Sequence, residues 1–298
     1  MYDVIVIGGG IGGFSAAIYA VRYQLKVLLI AEKKGGTIME SHRVENYPGF
    51  KAISGVELMK NVEEQAKALG VEIKSGKVEK AEGHDCLFRI STKKETFEAK
   101  ALVLVTGTEK RKLDIPGEKE YTGKGVSYCA TCDAPFFGDK VVGVVGGSDS
   151  AAWAAILAAA HAKKVYIIYR KAEMRAEPVN VEKLKNNPKI EFIFNTNVVK
   201  VVGDKMMTGV ELDSGKTLEL DGLFVEVGSV PVVSLAKELG VELCEMDYIH
   251  TDREQKTNVP GVFAVGDVTD TPLRQAITAA GQGAVAAKGC YEHIKNSR

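Results

Sequence analysis

Uninterrupted apolar runs rich in β-branched residues recur along this chain, each followed by a glycine-bearing turn and then by apolar residues at helical spacing. Residues 3–7 form the first run, apolar and β-branched, and predict a strand. Gly8-Gly9-Gly10-Ile11-Gly12-Gly13 follows, Ala16, Ala17 and Ala20 continue at helical spacing, and 27–30 is the next strand. The pattern turns amphipathic over 56–69, a helix, with a strand at 71–73. From there to Ala99 alternating segments predict a small antiparallel insertion, and 101–105 reads as a separate buried strand ending in Thr106-Gly107-Thr108. The charged stretch 110–117, with Pro116, reads as a linker.

The pattern then restarts. A strand at 140–145, a small-residue turn at 146–151, an alanine-rich helix at 152–162 and a strand at 165–169 repeat the opening order. Further strands are expected at 190–194, 198–202 and within 210–223, and a closing buried strand at 223–227. A short helix at 235–239 precedes a second linker at 241–250. Residues 259–267 offer a strand capped by an acid, and Arg274, Gln275 and Ala276 head a helix dense in small residues, among them Ala279, Ala280, Gly281, Gly283, Ala284, Ala286 and Ala287.

Composition narrows the function. The 298 residues suffice for two domains. Lys+Arg and Asp+Glu both number 39, so zero net charge removes the electrostatic case for nucleic acid or an anionic membrane. Apolar runs stay short of the roughly 18 residues that span a bilayer, and no leader pattern opens the chain; a cytoplasmic protein without membrane contact is expected. Five cysteines, an odd number in a long chain, do not make a secreted disulfide framework.

The two glycine turns share a frame and differ in charge. Gly8, Gly10 and Gly13 occupy the G-x-G-x-x-G positions between strand and helix, where the backbone can approach a pyrophosphate at the positive helix end. Twenty-four residues after Gly8 stands Glu32; twenty-four after Gly146 stands Arg170. An acid there accepts ribose hydroxyls and repels a 2′-phosphate, whereas Arg170, with Lys171 and Arg175, attracts one. The first turn therefore suits the ADP part of FAD, and the second, Gly146-Gly147-Ser148-Asp149-Ser150, suits NADPH over NADH. A long cofactor would continue past Gly36, Thr37 and Asn46 and the Thr106-Gly107 strand end. Asp267, after Gly266, is placed to bind a ribityl hydroxyl, and the helix headed by Arg274, Gln275 and Ala276 to steady a reduced flavin.

Between the two turns lies Cys129-Ala130-Thr131-Cys132-Asp133. A Cys-x-x-Cys serves zinc or redox chemistry, but the remaining Cys86, Cys244 and Cys290 and the histidines His42, His84, His161, His250 and His293 show no ligand spacing, so no metal is expected. The redox role is favoured, with Asp133 beside the thiols to exchange their protons.

These motifs, with Val44-Glu45-Asn46-Tyr47-Pro48-Gly49 and Gly261 to Asp267, occur in an order that resembles the low-molecular-weight thioredoxin reductases over nearly the whole chain. The resemblance implies an α/β fold of two Rossmann-like, three-layer dinucleotide-binding domains: a discontinuous FAD domain, 1–112 and 245–298, with the NADPH domain, 113–244, inserted and carrying the redox disulfide. It implies a homodimer that moves two electrons from NADPH through FAD to Cys129/Cys132 and on to a thioredoxin-like or glutaredoxin-like protein, with Cys132 toward the flavin, Cys129 attacking the partner disulfide and Asp133 as acid/base. Cysteine pair and nicotinamide turn share one domain, so a rotation about the linkers 110–117 and 241–250 is expected to alternate them. The sequence departs from the family at Ser148, usually glycine, at Tyr169, commonly histidine, and at Lys171, commonly arginine; the Pro135-Phe136-Phe137 run also differs slightly. Those departures keep alternatives open: reduced ferredoxin, a deazaflavin or NADH as donor, or a ferredoxin-NADP reductase-like flavoprotein. A flavin-binding sensor and a zinc-binding structural protein are the readings from other classes.

Overall fold

The computed structural model describes every residue except His42, Asp85 and Arg298. The chain opens with β1 (Tyr2–Gly9), α1 (Ile11–Arg22), β2 (Val27–Lys34), α2 (Gly55–Ala68) and β3 (Glu72–Ser75). β4 (Val78–His84), β5 (Leu87–Thr92), β6 (Thr96–Leu104) and β7 (Thr108–Lys110) follow, then β8 (Val126–Ser127), α3 (Ala130–Asp133), β9 (Val141–Val145), α4 (Asp149–His161) and β10 (Lys164–Tyr169). After α5 (Pro178–Lys185) and β11 (Ile190–Phe194) come β12 (Val198–Gly203), β13 (Met207–Leu212), β14 (Thr217–Glu219) and β15 (Gly222–Val225). The chain closes with β16 (Ser229–Pro231), α6 (Ser234–Glu238), β17 (Val262–Ala264) and α7 (Ala276–Asn296). Two compact units result: Met1–Glu109 with Pro231–Arg298, and Lys110–Val230.

In the first unit β1 pairs in parallel with β2 and β6, β2 with β3, and β6 with β17. Period-two alternation sorts β1 cleanly. Val4 and Val6 face one core with Phe14, Leu58 and Ala286, from α1, α2 and α7; Ile5 and Ile7 face another with Phe88, Ile90 and Leu235, from β5 and α6. The second unit repeats the plan with a parallel sheet ordered β11-β10-β9-β15-β8. Val142 and Val144 face the alanines of α4; Val145, Leu223 and Val225 face Val198, Val201 and Val210 of the antiparallel β12-β13-β14. Each unit is thus three layers of Rossmann-like α/β structure, as expected.

Three expectations need correction. Residues 96–104 form one strand where a hairpin arm and a separate strand at 101–105 were expected. β6 pairs antiparallel with β5 through 96–99 and in parallel with β17 through 102–104, so a single strand takes an antiparallel and a parallel neighbour within one seven-stranded sheet. The crossings between units fall at 109/110 and 230/231, against the expected 112/113 and 244/245. Residues 241–250 are accordingly no linker: Val233, Leu235, Ala236, Leu239, Val241 and Ile249 are buried with Leu28, Leu102 and Val262 in the first unit's core, which a solvated connection would not allow.

Candidate active site

In the second unit, Cys129 and Cys132 form a disulfide. β8 delivers the chain to Cys129, which caps the short α3: its Sγ accepts from the Cys132 N–H at 3.2 Å, and its carbonyl from the Cys132 and Asp133 amides at 3.1 Å. The Ser127 hydroxyl accepts from the Cys129 N–H at 3.0 Å. Cys132 is exposed, Cys129 and Asp133 are partly buried, and the Asp133 carboxylate has no partner among the described residues. The aromatic run that follows divides its roles: Phe137 is buried edge-on against Phe224 and beside Gly222, while Phe136 is 75% exposed.

Sequence reasoning missed two residues behind this loop. Glu118, placed just beyond an expected linker, is buried, and its Oε1 accepts the Tyr128 hydroxyl at 2.7 Å. Nothing in local spacing pairs residues ten apart in a turn.

The first unit's glycine turn is a close-packed cradle. Gly8 has φ +125°, and a Cβ there would stand 2.0 Å from the Val105 carbonyl oxygen; one on Gly13 would stand 2.1 Å from the Gly8 oxygen. Gly10, the N-cap, faces open space and leaves the first amides of α1 without a side-chain cap. A Cβ on Gly36 (φ +66°) would stand 3.1 Å from Gly10 Cα, the Gly35 amide donates to the Gly9 carbonyl, and Thr37 begins the next turn. Glu32, exposed on β2, has no partner among the described residues. Asn46 Nδ2 donates to Gln275 Oε1 at 3.1 Å, which joins two expected site residues 229 apart in sequence. Thr106 donates its hydroxyl to the Val232 carbonyl, and Gly107 adopts φ +65°.

At the head of α7, whose first residue is Ala276, Gly266 donates its amide to Gln282 Oε1, a side chain hidden from sequence reasoning among that helix's small residues. Burial pushes the Asp267 carboxyl above the usual carboxylate range, and nearby Arg274 pulls it partly back. Arg274 lies 3.9 Å from the Tyr248 ring centroid, and its Nε is buried with no hydrogen-bond partner among the described residues.

The second unit's turn repeats this geometry with different side chains. Gly146 has φ +149°, Ser148 caps α4 without a side-chain bond, and its Oγ lies 3.1 Å from Ser150 Oγ. Asp149 is engaged: Oδ1 accepts from the Glu177 amide at 2.8 Å and from Asn180 Nδ2 at 2.9 Å, tying down the start of α5. Arg175 returns its amide to the Gly147 carbonyl. Arg170, Lys171 and Arg175 all expose their side chains, and none is ion-paired among the described residues. The Tyr169 ring lies where a Cβ on Gly147 would fall, and its hydroxyl is buried without a partner among the described residues.

Among the described residues no three His, Cys, Asp or Glu side chains gather as a metal site, and no helix is long and apolar enough to cross a membrane. His42 lies outside the described residues.

The family model for pyridine nucleotide-disulphide oxidoreductases matches residues 2–283. This chain belongs to that family, among its thioredoxin reductases. It is 38% identical to a thioredoxin reductase of Listeria monocytogenes over 302 residues, covering 99% of this chain and 94% of that protein. It superposes on Lactococcus lactis thioredoxin reductase with a TM-score of 0.96 at 37% identity, covering 99% and 100% of the two chains, and on the T. acidophilum thioredoxin reductase with a TM-score of 0.93 at 39% identity, covering 99% of each.

Membership in this family implies a flavin and a nicotinamide cofactor. The residues present fit both. The open space at Gly10, the uncapped amides of α1 and the orphaned Arg274 Nε suit an anionic, hydroxyl-rich nucleotide on the first unit. The uncapped α4 and its unpaired cations suit another on the second.

Proposed function

We propose that this chain is an NADPH-dependent thioredoxin reductase that binds FAD on its first unit and NADPH on its second. The carrying observation is a Cys129–Cys132 disulfide on a chain whose two equivalent glycine turns end in opposite charge, Glu32 and Arg170. Gly8, Gly10, Gly13 and the amides of α1 hold the FAD pyrophosphate, Glu32 its ribose, and Asp267 a ribityl hydroxyl. Gly36, Thr37, Asn46, Thr106, Gly107, Gly266, Arg274, Gln275 and Ala276 line its path. Gly146, Gly147, Ser148, Ser150 and the amides of α4 take the NADPH pyrophosphate, with Asp149 holding that turn against α5; Arg170, Lys171 and Arg175 take its 2′-phosphate.

A bound flavin supplies the conversion of a nicotinamide's hydride into an electron pair for a disulfide. The chain's own residues direct the thiol chemistry. Once the disulfide is reduced, the Cys132 N–H stabilises a thiolate on Cys129 Sγ. That thiolate attacks one sulfur of the partner disulfide, forming a mixed disulfide and expelling the other sulfur, which takes a proton from Asp133. Cys132 then gives its proton to the Asp133 carboxylate and attacks Cys129 Sγ, restoring the internal disulfide and expelling the second partner sulfur, which takes that proton so that the partner leaves as a dithiol. The partner is a thioredoxin-like or glutaredoxin-like protein, for which exposed Phe136 offers an apolar contact. A homodimer in a reducing cytoplasm completes the reading.

The test is anaerobic bleaching of the bound flavin by NADPH and by NADH, followed by donor-dependent reduction of a thioredoxin disulfide. A protein that stays colourless after gentle isolation and reconstitution refutes the reading, as does full reductase activity in C129S or C132S. A second reading keeps the disulfide chemistry and replaces NADPH with NADH, reduced ferredoxin or a deazaflavin; Ser148 and the Tyr169 ring packed on Gly147 favour it. Flavin bleached by one of these donors and unmoved by NADPH would establish it.

A further inference from the structure

Glu118 is 3% exposed, yet no lysine or arginine pairs with it among the described residues. Three donors converge on it instead: Oε1 accepts the Leu113 N–H at 2.8 Å and the Tyr128 hydroxyl at 2.7 Å, and Oε2 accepts the Asp114 N–H at 2.7 Å. A buried carboxylate is tolerated only when its lone pairs are met in this way. Its backbone is fixed as well, its amide donating to the Ile115 carbonyl and its own carbonyl accepting the Thr122 hydroxyl. The result is a rigid acceptor joining the segment that enters the second unit to Tyr128, the residue before Cys129.

Tyr128 is suited to be the donor. Burial first, and then the bond to Glu118, push its hydroxyl up to about 12, so it stays a phenol over the working range. On the other side of the same peptide unit, Ser127 Oγ accepts the Cys129 N–H at 3.0 Å and donates to the Cys129 carbonyl at 3.3 Å. With Tyr128 held by Glu118 and its own N–H and carbonyl held by Ser127, Cys129 presents its sulfur to the Cys132 N–H.

We propose that Glu118 and Tyr128 are positioning residues for the redox pair: the buried carboxylate anchors the Tyr128 hydroxyl and so holds Cys129 where the Cys132 amide stabilises its thiolate. Neither residue touches the reacting sulfurs. Their effect on chemistry passes through the backbone of one residue, and it is read in the reactivity of Cys129. The inference rests on the disulfide reductase reading above.

The experiment measures the alkylation rate of Cys129 by iodoacetamide in the reduced holoenzyme from pH 5 to 9, with mass spectrometry separating Cys129 from Cys86 and Cys244. In Y128F the apparent pKa of Cys129 rises by about one unit and the rate near neutrality falls by about tenfold, the size of one hydrogen bond's net contribution. Donor-dependent flavin bleaching stays at the wild-type rate. E118Q moves Cys129 in the same direction, and the double variant is no slower than E118Q alone, because both act through one bond. Wild-type pH profiles in Y128F overturn the proposal even if the protein melts earlier, since a merely structural role lowers stability without touching the thiol. Y128F decides the question if E118Q does not fold. A wild-type protein without any reactive thiol at Cys129 after reduction would instead overturn the parent reading.

Discussion

Two glycines in α7, Gly281 and Gly283, are expected to respond to the same substitution with opposite sign. Gly283 is where α7 crosses α1: a Cβ there would stand 2.2 Å from the Gly12 carbonyl oxygen, 2.9 Å from the Ala16 amide nitrogen and 3.0 Å from Ser15 Cβ. Non-bonded heavy atoms settle about 3.5–4.0 Å apart, so the helices must separate by roughly 1 Å or more. Gly281 meets nothing within 4 Å. Both alanines gain about 0.8–1 kcal/mol of helix propensity. Only G283A adds an overpacking cost of about 1–3 kcal/mol. Propensity cancels in the comparison, leaving G283A less stable than G281A by about 2 kcal/mol, or roughly 4–8 °C in thermal midpoint for a domain of this size.

The displaced partner is Gly12, inside the glycine turn, so G283A should also retain less flavin per chain than wild type while G281A retains the full amount. Denaturant unfolding and the ratio of flavin to protein absorbance measure both effects. Equal stability and equal flavin content in the two variants would refute the packing argument.

Arg170→Ala should raise the KM for NADPH by about tenfold or more, the worth of one hydrogen bond to a charged group, and leave the KM for NADH within about twofold; equal losses would deny Arg170 a 2′-phosphate role. For Asp267, burial raises the folded-state pKa, so ionisation opposes folding. The protonated form's stability is present below the ordinary carboxylate pKa and is lost as pH rises through the raised value. Asp267→Asn should therefore gain stability over the native chain in flavin-free protein near pH 7 and show no gain at about pH 3, as denaturant midpoints at the two pH values would record. Cys290 is fully buried, which pushes its thiol up; it should resist alkylation until the protein is unfolded, while the partly exposed Cys86 and Cys244 react in the native state.

Much of the candidate site was legible because its chemistry is local. A glycine turn between strand and helix constrains a few consecutive residues, and the contrast between Glu32 and Arg170 needs only the repeat to be counted. Asp149 shows the limit. It lies in a phosphate-type turn, yet its carboxylate serves Asn180 and the Glu177 amide on α5, an element whose sole local sign is Pro178 at its first position. Gln282 was invisible for a similar reason: its bond to the Gly266 amide spans a loop and a helix turn that no periodicity relates.

By itself the sequence determined the strand-turn-helix repeats and the presence of a cysteine pair between two glycine turns. These arise from backbone sterics and side-chain period, which act over a few residues. Only the tertiary structure decided that β6 takes both an antiparallel and a parallel neighbour in one sheet, that the second crossing lies at 230/231, and that Glu118 reaches Tyr128. Each of these depends on which distant surface buries an apolar run or satisfies a polar atom, and that choice is made when the layers pack.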